Sequence, residues 1–152
     1  MVWKPHVTVA AVVERDNKFL LVEEEADGQI VINQPAGHLE SGETLSQAII
    51  RETFEETAWK FTPTALIGIY LWQHPQNSTS FLRISFTGEC DDHNPSSKLD
   101  DGIIRALWLS REQLLTSNYR VRSPLVIRCI DDYVSGTQYP LSMLKSLLNL
   151  SR

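Results

Sequence analysis

The sequence predicts an α/β fold in which a mixed β-sheet carries helices on its faces. Two observations predict it. Strand-like segments linked by hairpin turns fill the first third of the chain, and further strand-like segments follow a well-marked helix starting at Thr44. Strands on both sides of that helix argue against a doubly wound parallel sheet, in which elements would alternate strictly.

The elements follow in order. Residues 6–14 read as a strand, residues 18–24 as a second after the Asp16-Asn17 turn, and residues 29–33 as a third after Asp27-Gly28. Residues 34–43, with Pro35, Gly37 and Gly42, read as a turn-rich connection. Thr44 followed three residues later by Gln47 forms a capping box, so a helix is expected to run from there to about Thr57. Residues 65–73 and 80–89 are the next strands, separated by a polar loop. Residues 90–102 form a long acidic loop, and residues 103–109 a further strand. Ser110 with Gln113 opens a short helix, and Ser123 with Pro124 at the first helical position opens a longer one closing near Gly136.

The chain has 152 residues, and no repeat or Pro/Gly/Ser-rich linker divides it, so residues 1–152 are expected to form a single domain. With 14 basic against 19 acidic residues the net charge is −5. Duplex nucleic acid is therefore a poor partner, because the counterion-releasing attraction of a basic surface is absent. A small anionic substrate requires something locally positive, such as a metal ion. Cys90 and Cys129 could form one bridge at most and show no metal-knuckle spacing, which suggests reduced thiols. The apolar run at residues 7–13 is too short for a signal peptide or a membrane span, so no membrane association and a cytoplasmic location are expected, with the chain a monomer or weak homodimer.

On a wheel with Leu45 at zero, Glu55, Glu52 and Glu56 fall at about 280°, 340° and 20°, while Ile49, Thr53, Ile50 and Phe54 occupy about 40° to 180°. The acids thus share one face and an apolar face is left to pack on the sheet. Glu52 and Glu56 repel each other across one turn near the helix's negative end. Arg51 can relieve Glu55 and Lys60 can reach Glu56, but Glu52 has no basic neighbour at helical spacing. A hard divalent cation would supply the missing charge; a solvated acidic face is the alternative, and spacing alone does not choose.

Residues 37–59 read GHLESGETLSQAIIRETFEETAW. Gly37, Glu43, Arg51, Glu52, Glu55 and Glu56 fall on the fixed letters of G-x5-E-x7-R-E-U-x-E-E-x-G-U, where U is a bulky apolar residue, so the segment resembles the Nudix box. At a usage near 7% per residue type, six matches at set spacing arise by chance roughly once in ten million starting points. Thr53 stands where an aliphatic residue is usual, and Ala58 replaces the final glycine. An alanine in the left-handed conformation costs about 1–2 kcal/mol, so the helix is expected to end differently here. Residues 3–13, 33–40, 117–126 and 138–144 extend the resemblance over almost the whole chain, toward a bacterial phosphatase branch of the family.

The resemblance implies a Nudix-type α/β/α sandwich with a loop-helix-loop catalytic motif, and a hydrolase using Mg²⁺, with Mn²⁺ as a substitute. It implies nucleoside di- and triphosphates as substrates, together with hydroxymethylpyrimidine diphosphate, a thiamine-pathway compound, cleaved with release of orthophosphate. Glu52, Glu55 and Glu56 with the Gly37 carbonyl would hold the metal, Arg51 would orient the glutamates, and Glu43 would tie the loop. Some relatives take their base from the loop before an apolar-Trp-apolar strand, here Leu107-Trp108-Leu109. Asp100 and Asp101 are the nearest acids, with Asp101 the candidate; Gly102 stands where the acid would fall, and Glu55 is the alternative base. Trp3, Trp72 and Phe81 are candidates for stacking on a ring or for the core. Arg83 and Arg122 are candidates for substrate binding, with Arg120 nearby. His6, His38, His74 and His93 show no ligand spacing and are read as non-metal. Two other functions are compatible: a pyrophosphohydrolase that cleans the nucleotide pool, and a nucleotide-sensing domain without turnover. The second would be expected to lose box carboxylates.

Overall fold

A computed structural model describes residues 1–148. The first strand, β1 (His6–Val12), leads through Val13 into the two-residue β2 (Glu14–Arg15). The expected single strand is thus divided, because its two parts serve different sheets: β1 pairs within one, β2 within the other. Asp16 and Asn17, both at positive φ, turn the chain into β3 (Lys18–Ala26), and Asp27-Gly28 turns it into β4 (Gln29–Asn33). Both are two-residue hairpin loops whose central residues tolerate the left-handed backbone that matches strand twist.

Within the segment expected to be all turn lies β5 (Ala36–His38), which pairs antiparallel with β1. Helix α1 (Leu45–Thr57) follows, with the Thr44–Gln47 capping box formed. Strand β6 (Lys60–Gln73) begins five residues before the expected start at residue 65. It can pass through Pro63 because it lies at the edge of its sheet and the ladder is bulged there, where a missing N–H costs least. Then come β7 (Ser80–Asp91), β8 (Ile103–Leu109), α2 (Arg111–Thr116) and α3 (Leu125–Val134), followed by a 3₁₀ turn at Leu141–Met143. Pro124 is the residue before α3 rather than its first helical residue, and the Ser123 hydroxyl accepts the amide of Leu125 at 3.2 Å.

One sheet has the order β5-β1-β7-β6, with β1 and β7 parallel and the other pairs antiparallel. The second is built on β3, with β8 on one edge and β4 and β2 on the other. Period-2 alternation divides the apolar residues of these strands between two cores. Val9, Ala11, Val13, Leu20 and Leu66 join Ala48 and Ile49 of α1; Val12, Phe19, Leu21 and Ile67 join Leu114 of α2 and Val126, Cys129 and Ile130 of α3. Helices therefore cover both sides of the mixed sheet structure, as an α/β/α sandwich requires. Phe19, Phe61 and Phe86 are fully buried, each contributing about 1.5–3 kcal/mol. Both cysteines are buried and free. Among the described residues no helix is long and apolar enough to cross a membrane.

Candidate active site

Helix α1 does not pack on the face the wheel suggested. Ala48, Ile49, Glu52, Thr53, Glu56 and Thr57 are buried, while Ile50 and Phe54 are 38% and 41% exposed. The buried arc therefore centres near 30° on the wheel, on Glu56 and Ile49, and two of the three acids face inward. Ile49 and Thr53 of the expected face are buried, but Glu52, Glu56 and Thr57 are buried with them in place of Ile50 and Phe54. Thr57 satisfies its hydroxyl on the Thr53 carbonyl at 2.6 Å, whereas the Thr53 hydroxyl is buried without a partner.

Strand β5 lies beside the acidic stretch of α1. At Gly37 an added Cβ would lie 2.0 Å from Cδ of Glu52, so only glycine lets that carboxylate lie against the strand. The Glu56 carboxylate accepts the Ala36 amide at 2.9 Å and meets no basic side chain among the described residues. Burial, against the help of that amide, pushes its pKa up to about 9. Burial likewise raises Glu52 and Glu55, and Asp100 adds to the rise at Glu55.

Arg51 organises this region further than helical spacing suggested. Its fork grips Glu43 through Nε at 3.0 Å and Nη2 at 2.7 Å. Nη1 donates to Glu52 at 2.8 Å and Glu55 at 3.2 Å, and Nη2 donates to the His38 carbonyl at 3.0 Å. Glu52 therefore does have a basic partner; the wheel missed it because a long arginine can reach its immediate neighbour. The same bonds hold Glu43 below the usual carboxylate range and tie it to the Glu40 amide, so Glu43 anchors the loop entering α1. Lys60 pairs in β6 with Asp91 and forms no ion pair with Glu56 among the described residues.

A carboxylate oxygen from each of Glu52, Glu55 and Asp100 lies within 4.8 Å of the others, forming a candidate metal cluster. Asp100 enters it in place of Asp101, which sits in the exposed turn that follows. The reason is local: the Asp100 amide donates to the Glu55 carbonyl at 2.9 Å, locking this residue of the loop over the end of α1. Residue-by-residue spacing in a long loop could not show that bond. The helix end is also not as expected. Ala58 adopts φ 60°, ψ 17° and accepts the strain of the usual glycine position, with its amide donating to the Phe54 carbonyl.

On the other side of β5 opens a cleft of about 150 Å³ whose lining includes Gly37, His38, Trp72, Phe81, Arg83 and Arg122. Trp72 and Phe81 stack at 5.8 Å, and His6 bridges Phe81 and His38 at 5.5 and 5.3 Å. Burial and the neighbouring His6 and Arg122 lower the His38 pKa. Arg122 reaches Glu24 at 3.0 Å, and Glu24 also accepts from Asn33 at 3.4 Å. Arg83 is buried, donating to Gln34 at 3.1 Å and Asn33 at 3.3 Å, with its Nε unpartnered. Thus Trp72, Phe81, Arg83 and Arg122 come together, whereas Trp3 is 66% exposed and Arg120 binds Gln29 outside the cleft. Glu24 and Asn33 were not foreseen, for each is an ordinary strand residue until β3 and β4 are folded together. No histidine belongs to the acidic cluster among the described residues.

Comparison with known proteins agrees with this geometry. Residues 4–129 match the NUDIX domain family. The chain is 44% identical over 142 residues to "Phosphatase NudJ" of Escherichia coli strain K12 and of Shigella flexneri, covering 93% of this chain and 92% of each relative. Among solved structures, a NUDIX hydrolase from Nitrosomonas europaea superposes with a TM-score of 0.94 at 48% identity, covering 97% of this chain and all of that one. A UDP-X diphosphatase shares the fold alone, at a TM-score of 0.73 and 20% identity over 92% of this chain and 68% of that one. A box read from spacing, a glycine that admits its glutamate, and a match over most of the length lead to one assignment: the chain belongs to the NUDIX family and is a Nudix hydrolase.

Proposed function

We propose that this chain, as one domain over residues 1–152 with its catalytic box at 37–59, is a Mg²⁺-dependent phosphatase. Its substrates would be nucleoside di- and triphosphates, and hydroxymethylpyrimidine diphosphate as a further one, cleaved with release of orthophosphate. The observation that carries the reading is the convergence of Glu52, Glu55 and Asp100 beside the buried Glu56, which meets no basic side chain among the described residues. The residues fit the metal: the donors are hard carboxylate oxygens, and Gly37 leaves the space in which Glu52 is seated. Similarity to relatives named phosphatases, over nearly their full length, supports orthophosphate as the product.

Glu52, Glu55 and Glu56, with the Gly37 carbonyl, would hold Mg²⁺. When bound, the ion supplies positive charge to the phosphoryl oxygens and lowers the pKa of water. Arg51 and Glu43 keep the glutamates in place. Glu55 or Asp100 would take a proton from the attacking water, Asp100 in the role that the sequence offered to Asp101, because both belong to the acidic cluster. Arg83 and Arg122 bind the part of the substrate that enters the cleft.

The test is a screen of nucleoside di- and triphosphates and hydroxymethylpyrimidine diphosphate with Mg²⁺ or with EDTA, reading the phosphorus product. Orthophosphate, lost with EDTA, is expected. Pyrophosphate would instead favour a nucleoside triphosphate pyrophosphohydrolase, and nucleotide binding without turnover a sensing domain. The complete set of box carboxylates argues against the latter.

A further inference from the structure

Arg83 poses a physical problem that a general role in substrate binding does not explain. A guanidinium has five N–H donors and carries a full charge at neutral pH. Here it is buried at 6% exposure, and the hydrogen bonds it forms are to the neutral amides of Gln34 and Asn33. Its Nε has no partner, and it forms no ion pair among the described residues. A buried charge without a carboxylate is costly to a fold, so its presence calls for a compensating group. Arg83 also lines the cleft, below the stacked rings of Trp72 and Phe81. The amides beneath it are themselves committed: Gln34 donates to the Val126 carbonyl at 2.8 Å and Asn33 to Glu24, so both present their oxygens to Arg83 and hold its plane.

We infer that Arg83 is a specificity-determining residue that reads the hydrogen-bond acceptors on the edge of a planar heterocycle stacked against Trp72 and Phe81. The inference rests on the proposed function and deepens it. The Trp72–Phe81 wall offers a flat ring its face, and the Arg83 Nη groups, each with an N–H beyond the one given to Gln34 or Asn33, offer donors to acceptors on its edge. A phosphate group would be a poorer occupant, since aromatic faces repel it and the acidic cluster proposed to hold Mg²⁺ lies across β5. Neighbouring Arg122 is already engaged by Glu24, which leaves Arg83 as the uncompensated donor.

The test compares kcat/KM, with Mg²⁺, for uridine diphosphate and for the analogue in which a phenyl ring replaces uracil, a ring of the same size without acceptors. The wild-type enzyme is expected to prefer the uracil compound at least ~10-fold, the worth of a hydrogen bond to a charged group. Arg83→Met should bring that ratio to about one, mainly through KM. Should Arg83→Met not fold, Arg83→Lys keeps the charge but loses the planar fork and should likewise lose most of the preference. Equal use of both compounds by the wild type, or a ratio undiminished in a folded Arg83 variant, overturns the inference while leaving the hydrolase reading intact. Failure of the wild type to cleave any diphosphate would overturn both.

Discussion

The two sides of β5 are opposites. Toward α1, Glu52, Glu55 and Asp100 gather more negative charge than Arg51 neutralises; toward the cleft, Arg83 holds a positive charge that forms no ion pair among the described residues. A single three-residue strand thus separates a site suited to a cation from a site suited to an acceptor. A substrate with a phosphate tail and a ring at its other end would complete both. The comparison shows that each half of the molecule carries an electrostatic cost that makes sense only when something binds.

The largest expected effect lies on the acidic side. Glu56→Gln removes the most buried of the proposed ligands, and steady-state phosphate release should fall at least ~10²-fold while the circular dichroism spectrum stays that of the folded protein. Full activity in this variant would defeat the metal assignment.

The same carboxylate predicts how the metal-free protein responds to pH. Its folded pKa, about 9, lies above the ordinary 4.5, so the folded state binds the proton more tightly than the unfolded chain does. The penalty is absent below pH 4.5 and grows as pH rises toward 9. Urea melts in EDTA should therefore show stability falling between pH 5 and 8, by roughly 1–3 kcal/mol, and Glu56→Gln should flatten that slope. Glu52 and Glu55 are raised in the same direction and add to it.

On the cleft side the expected change is smaller and opposite to that of an ordinary core mutation. Arg83→Met removes an uncompensated buried charge, so the ligand-free protein should melt about 2–4 °C higher. A lower melting temperature would mean that Arg83 chiefly holds Gln34 and Asn33 together. The smallest effect belongs to Ala58, strained at φ 60°. Ala58→Gly should stabilise the fold by about 0.5–1 kcal/mol, the relief of strain less the lost methyl burial, as read from thermal melts.

What was legible in the sequence follows the same division. Glu52, Glu55 and Glu56 lie within five consecutive residues of a helix opened by a capping box, so local spacing revealed their shared face. The strand limits at 29–33 and 103–109 were equally local, set by the turns that bound them. The orientation of α1 was not, because packing against β5 decides which residues are buried, and it chose two threonines and two glutamates over Ile50 and Phe54. β5 itself is only three residues long and contains a glycine, so its sequence carries no strand signal until β1 pairs with it. Asp100 depends on one backbone bond to Glu55, and the cleft on contacts between β3, β4 and β7, with Asn33 and Arg83 fifty residues apart.

The central claim is that the acids of α1 are arranged for a divalent cation. Crystals soaked with Mn²⁺ and a non-hydrolysable nucleoside diphosphate analogue test it most directly, by anomalous scattering. The account predicts a manganese peak bound by Glu52, Glu55 and Glu56. Analogue bound in the cleft with no manganese at these carboxylates would contradict it.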